Sequence, residues 1–470
     1  MLNFNNPTLL IKKLIIFFFF YMILEGILRK WILPGLSTQI YFIKDILLII
    51  IYIIALRYNL IFQSTYSKIF IFFIILISLF GFMGYNYNFN GIISYFLGLR
   101  SYWIFLPLFL IITHIFNKND LIKFIKINFY SIIPYFLIVL LQTRLPETSF
   151  LNSGYDGNLQ SPERPSAFFT YTTQNTYYFL FLFFCFFSYI LNKKSFSIKD
   201  MLHITLLNFL LISVMILLKS RSVYFYVFVT IFYSIFFVLF SNFDRNLKLK
   251  KIFLLLLTLV TFNISSIMFE KQYNHSQVRM NTDPTWESEF YLDHQEKEIL
   301  LFSFLPDKKQ QDLYNYQSET RYMTVREICA NYSTVCRIIN DLYILPAVQK
   351  STLFGEGIGA GTKPVVVFNK IEKSFYLGEI DNKRIIMELG FVVGLFLILF
   401  KWSLVIILNI IALFKFRDKN KLIYIPLLLF VSTQLMLGTI SYTVSFISFV
   451  FWLSFGLLFI AFNKENKNLR

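Results

Sequence analysis

Apolar residues along this chain gather in long blocks near positions 10–30, 40–57, 68–84, 93–113, 127–142, 167–191, 201–218, 222–240, 252–269, 385–414, 422–440 and 442–462. Each is close to the roughly 20 residues that a helix needs to cross a hydrocarbon core. A chain crossing lipid must satisfy its backbone hydrogen bonds internally, so such blocks predict helices. The fold class expected is all-α: a polytopic integral membrane protein with about twelve transmembrane helices. Lys12 and Lys13 precede the first block as in a signal peptide, but Glu25-Gly26-Ile27-Leu28-Arg29-Lys30-Trp31 follows in place of a small-residue cleavage site. The first block is therefore expected to be retained as a span.

The connections between blocks alternate in character. Arg57–Lys68, Asn117–Lys126, Asn192–Lys199, Asp244–Lys251, Lys415–Lys421 and the tail Lys464–Arg470 are basic, whereas Tyr85–Asn90, Thr143–Arg164 and Gly438–Thr443 are neutral or mixed. Cytoplasmic loops concentrate Lys and Arg, so both termini are expected in the cytoplasm. One segment breaks the rhythm. Residues 270–383 carry 13 Lys/Arg and 16 Asp/Glu, a net −3 against +20 for the rest. Span parity puts this segment outside, and its size suits a small, mostly helical cap. Three regions result: spans one to nine over 1–269, a large extracytoplasmic loop over 270–383, and spans ten to twelve with a cytoplasmic tail over 384–470.

Composition supports this class and narrows the partners. The 470 residues are 56% hydrophobic, 20% aromatic and only 15% charged, and mean hydropathy is +0.60, outside the range of ordinary soluble domains. The net charge of +17 would suggest nucleic acid in a soluble protein. Here it follows from basic cytoplasmic connections and from Lys and Asn abundance typical of AT-rich coding, so no nucleic-acid partner is expected. Cys185, Cys329 and Cys336 form neither a metal cluster nor a disulfide scaffold. A Cys329–Cys336 bridge is one reading, and free thiols, favoured if both lie on one helix, the other. No metal or cofactor is expected.

Cations at the wrong end of spans are the candidates for chemistry, because orientation does not favour them and burial is costly. Arg29 and Lys30 close the first block, Arg100 lies about seven residues into the fourth, Arg164 precedes the sixth, Lys219 and Arg221 follow the seventh, and Arg384 opens the tenth. All fall on the outer side. Converging guanidinium forks suit a membrane-borne phosphate or pyrophosphate. The plainer reading is that each snorkels to headgroups or pairs with a local acid such as Glu25 or Glu163.

A second constellation, Glu379-Ile380-Asp381-Asn382-Lys383-Arg384-Ile385-Ile386-Met387-Glu388-Leu389-Gly390, leads the outer loop back to the membrane. Glu379 or Asp381 held against low-dielectric material suits a general base for a sugar hydroxyl. The alternative is a helix start decorated with acids that favour its dipole, with Glu388 pairing Arg384 at i,i+4. His114, His203, His275 and His294 have no triad or metal partner in sequence. Gly355-Glu356-Gly357-Ile358-Gly359-Ala360-Gly361 lacks the Gly-Lys-Ser/Thr ending of a phosphate loop and reads as a hinge.

In layout and short motifs the chain resembles the O-antigen polymerase and O-antigen ligase superfamily of bacterial surface-polysaccharide assembly. The resemblance rests on Arg164-Pro165-Ser166-Ala167-Phe168-Phe169, Ser220-Arg221, the glycines 355, 357 and 359, and Glu388-Leu389-Gly390 with Gly394. It implies a bacterial inner-membrane enzyme, an inverting, metal-independent glycosyltransferase. This would pass a glycan from undecaprenyl pyrophosphate to a lipid-linked repeat unit at the outer face, with a chain-length regulator and a flippase as pathway partners. Arg100, Arg164 and Arg221, joined by Arg29 and Arg384, would hold the pyrophosphate, and Glu379 or Asp381 would activate the acceptor. Ligases of the superfamily carry a His-Asn pair where Glu379 stands, which favours the polymerase branch. A ligase or a lipid-linked oligosaccharide flippase is the alternative.

Overall fold

A computed structural model describes residues 7–62, 65–88, 92–154, 161–280, 338–339, 342–360, 381–416, 418, 421–438 and 445–462. They form helices α1 Pro7–Ile27, α2 Ser37–Arg57, α3 Thr65–Asn88, α4 Ile92–Trp103, α5 Leu106–Ile115, α6 Lys118–Arg144, α7 Thr172–Asn192, α8 Ile198–Leu218, α9 Arg221–Phe240, α10 Arg245–Met280, the short α11 Leu345–Lys350, α12 Asp381–Lys415, α13 Ile425–Leu437 and α14 Ser445–Phe459. Among the described residues nine helical stretches are long and apolar enough to cross a membrane, and Leu422–Leu437 and Ser445–Phe459 are shorter apolar helices. This is the architecture of a multi-pass membrane protein. The helices meet the expected apolar blocks one for one, with the fourth block divided between α4 and α5.

Local sequence explains where helices start. Asn117 and Asp120 form a reciprocal capping box on α6, and Ser197 and Asp200 form another on α8. Prolines at the first turns of α5 and α13 supply a pre-set φ where no N–H is needed. Lys12 Nζ reaches Asp120 Oδ2 at 2.7 Å and ties the starts of α1 and α6 together at the end of the bundle that holds the basic connections. That end is called the basic end here, and the opposite one the loop end.

Burial sorts helices by position. α7 and α14 are buried around almost their whole circumference, so they form the axis of the bundle. Phenylalanine supplies much of the filling: Phe19 meets Phe124 at 4.8 Å, Phe109 stacks on Phe455 at 4.7 Å, and Phe184 meets Phe430 at 5.1 Å. Large apolar side chains of α2, α3, α8 and α12 face outward, as a lipid-facing surface requires.

α12 departs from the expected span over 385–414. Gly390 has φ 79° and ψ 164°, which breaks the helix, and this region is open essentially to glycine alone. Lys401 Nζ donates to Asn382 Oδ1 at 3.0 Å, whereas residues 19 apart on one straight helix would lie about 28 Å apart. Residues 381–389 therefore fold back on residues 391–415 as a helical hairpin whose tip points to the loop end. Asp381 and Asn382 consequently sit beside Lys401, about 15 Å from that tip.

Candidate functional site

Buried and partly buried charges of the loop end form two clusters joined by α4. In the first, Glu25 of α1 accepts from Arg29 at 3.1 Å and from Lys44 of α2 at 3.0 and 3.1 Å. Arg29 follows Glu25 onto a single π-helical turn, Leu28–Ile32, and also donates to Ser37 Oγ at 3.0 Å. Such turns recur at functional sites. Arg100 of α4 makes a two-pronged pair with Asp45 at 2.8 and 3.0 Å and donates to the Tyr41 hydroxyl at 3.1 Å. Tyr41 lies at the centre, with Lys44 Nζ 3.4 Å from its ring centroid and the Arg29 and Arg100 guanidinium carbons at 5.1 and 5.0 Å. Three cations thus share two carboxylates around one aromatic ring. Ser445, the first residue of α14, lies 3.4 Å from the Tyr41 hydroxyl.

The second cluster is built on the hairpin. The Tyr102 hydroxyl donates to Glu388 at 2.7 Å, and Arg384 donates to Asp381 at 3.0 Å while its guanidinium lies 5.9 Å from the Tyr102 ring. Asp381, Asn382, Arg384 and Glu388 are all buried. Asn382 donates to the Met436 carbonyl at 3.0 Å, which fixes the hairpin to α13. The glycine-rich turn seals this arrangement. Glu356 N–H donates to Met387 O at 2.7 Å and Gly357 N–H to Glu388 O at 3.1 Å. A Cβ on Gly98 of α4 would lie 2.6 Å from the Ile358 backbone, so the turn is seated directly on that helix. The hinge expected at 355–361 is, over its described residues, a docked turn.

The Arg164-Pro165-Ser166-Ala167-Phe168-Phe169 motif forms a third part. Lys30 Nζ donates to Ser166 Oγ at 2.6 Å, Phe169 O at 3.1 Å and Ala167 O at 3.3 Å, using all three of its protons. Gln142 accepts from Ala167 N–H at 2.7 Å, and Asn175 donates to Pro165 O at 2.6 Å. These contacts hold Ala167 at φ 49° although it is not glycine. Phe169 meets Phe446 of α14 at 4.6 Å, so the start of α14 touches both this loop and the Tyr41 cluster.

Among the seven residues expected at the site, Arg29 and Arg100 share the first cluster and Asp381 and Arg384 share the second. Arg164 is exposed beside the third. Arg221 opens α9, and its side chain lies outside the described residues, as does Glu379. Arg29, Arg100 and Arg384 are each ion-paired, to Glu25, Asp45 and Asp381, and for Arg29 the partner is the local acid that the plainer reading named. Low-dielectric surroundings make an unpaired buried charge costly, which explains the pairing. Glu163 pairs with Lys219 at 3.8 Å, not with Arg164, and the ion pair at Arg384 is i,i+3 to Asp381, not i,i+4 to Glu388. Sequence reasoning missed Tyr41, Lys44, Asp45, Tyr102 and Lys401. Lys44-Asp45 inside an apolar block was the available signal.

No family model, no curated protein and no solved structure matches the chain.

Proposed function

We propose that this protein polymerises a glycan at the loop end of the bundle, opposite the basic connections, and that this end is the outer face of a bacterial inner membrane. A glycan on undecaprenyl pyrophosphate is transferred to the terminal sugar of a second lipid-linked repeat unit. The observation that carries the reading is the convergence of three motif segments on one end: the docked glycine turn, the Glu388-Leu389-Gly390 hairpin tip and the Arg164–Phe169 loop. Buried ion pairs inside a membrane bundle are functional candidates by default.

The chemistry asked of the site is a single displacement. The acceptor hydroxyl gives its proton to a carboxylate, its oxygen bonds to the anomeric carbon, and the bond to the pyrophosphate oxygen breaks with its electron pair. Arg100, with Arg29, Arg164, Arg221 and Arg384, would stabilise the charge that builds on the leaving pyrophosphate. Asp45 presents the Arg100 fork in a fixed orientation, and phosphate oxygens, which match the same two-pronged geometry, would take over that face when substrate binds. Asp381 faces Arg384, which leaves Glu379 as the candidate base. Reconstitution with purified undecaprenyl-pyrophosphate repeat units tests the reading: a ladder of polymers is expected, and products no longer than one unit, with partner proteins supplied, would refute it. Translocation of the lipid-linked unit without any ladder would favour the flippase alternative, and transfer to a different acceptor the ligase.

A further inference from the structure

A second site lies far from these clusters, at the basic end. Between the last turn of α9 and the last turns of α12 is a cleft of about 260 Å³ lined by Phe236, Phe237, Phe240, Leu413, Phe414 and Phe416. Its depth is defined by polar ties. The Tyr233 hydroxyl donates to Asn409, and Asn409 donates to Ser432 Oγ at 2.9 Å, so α9, α12 and α13 are fastened one to two turns above the mouth. From Asn409 to Phe416 the helix rises about 10 Å, which is the length of cleft left open toward the interface. Phe416 and Phe237 form a buried floor, whereas Phe240 at 59% and Phe414 at 74% relative exposure stand open on the rim.

The rim is basic. Lys415 follows Phe414 directly and holds its ammonium 5.6 Å from the Phe462 ring. Lys248 folds back to donate to Leu239 O at 3.1 Å, next to Phe240. Neither forms an ion pair among the described residues, and Arg245 and Lys421 add to the same end against Asp244 and Asp418. An aromatic-walled apolar slot whose lining is flanked by two lysines, Lys415 between Phe414 and Phe416 and Lys248 on the carbonyl next to Phe240, matches one kind of molecule: an acyl chain attached to an anionic headgroup.

We propose that this cleft binds one anionic phospholipid of the basic-side leaflet, its acyl chain between the α9 and α12 rings and its phosphate against Lys248 and Lys415. The site is independent of the glycan reaction. It closes the gap between α9 and α12 where, among the described residues, no direct polar tie joins them below Asn409.

The test uses the purified, delipidated full-length chain in detergent, mixed with equal amounts of phosphatidylglycerol, phosphatidylcholine and undecaprenyl pyrophosphate, with retained lipid read by native mass spectrometry. One phosphatidylglycerol is expected to be kept with roughly ten- to thirty-fold preference over phosphatidylcholine, as two near-surface lysines would give. Lys248→Ala with Lys415→Ala removes that preference. Leu413→Trp, which fills the slot, lowers retention of both phospholipids, and Arg57→Ala at the same end changes neither. No preference in the unaltered chain, a preference that survives the double lysine change, or undecaprenyl pyrophosphate outcompeting phosphatidylglycerol for retention lost in the same variants would each overturn the proposal. Loss of glycan polymerisation bears only on the other site.

Discussion

The hairpin in α12 depends on one residue, and Gly390→Ala should disrupt it. Two costs add. Gly390 has φ 79° with ψ 164°, and holding alanine there costs on the order of 1–3 kcal/mol. The new Cβ would also lie 2.0 Å from Leu353 O and 2.9 Å from Gly355 N, so the glycine-rich turn must lift away. Three hydrogen bonds hold that turn to the hairpin: Glu356 to Met387 at 2.7 Å, Gly357 to Glu388 at 3.1 Å and Phe391 to Thr352 at 3.2 Å. Losing them removes about 1 kcal/mol each. The sum is about 4–6 kcal/mol, enough to unseat the hairpin in a protein of ordinary stability. Gly35→Ala is the matched control, since a Cβ there meets nothing within 4 Å. Denaturation by titrated sodium dodecyl sulfate, followed by circular dichroism in mixed micelles, gives the difference between the two variants. A Gly390→Ala effect within about 0.5 kcal/mol of the Gly35→Ala effect, the range of innocuous surface changes, would show that the break at residue 390 does not govern the docking.

Other perturbations test neighbouring parts. Lys30→Met should destabilise by about 2–4 kcal/mol in the same titration, because Ser166, Ala167 and Phe169 lose a charged donor inside the bundle. Asp45→Asn and Arg100→Ala should each cost more than the pair made together, with a coupling of about 1–3 kcal/mol in a double-mutant cycle, and additive effects would deny that the pair acts as a unit. For the proposed reaction, Arg100→Lys should lower polymer formation at least tenfold while leaving membrane abundance unchanged, because an ammonium cannot reproduce the two-pronged contact. Cysteines placed at positions 57 and 150 should label from opposite sides in intact spheroplasts, with position 150 reached by an impermeant maleimide.

The apolar blocks were legible because lipid imposes one requirement on every crossing segment, and helices form at each of them. The break at Gly390 was not. Residues 381–415 read as a single long apolar pattern with an acidic start, and hydropathy does not distinguish a hairpin from a span when both halves are buried or lipid-facing. Gly390 and Gly394 were visible, and their meaning lay in what approaches them: Leu353 O against the first, and the Ile386 backbone, 2.6 Å from a Cβ on the second.

The charges show a different limit. Arginines stood out one at a time because each broke the orientation rule, whereas their carboxylate partners belong to other helices or to earlier turns. Depth along spans that run the same way provides the missing relation. Asp45 lies eight residues after the start of α2, and Arg100 lies eight after the start of α4, with both helices running inward from the loop end. At 1.5 Å per residue both sit about 12 Å below that end, which is why they meet at 2.8 Å. Lys44 and Tyr41 follow from the same count, one turn apart on α2. In a membrane bundle, an ionisable residue in an apolar block therefore implies a partner at equal depth. Here such partners gather Arg29, Lys44 and Arg100 with Glu25 and Asp45 around the Tyr41 ring, so that cations from three helices are held in one fixed cluster.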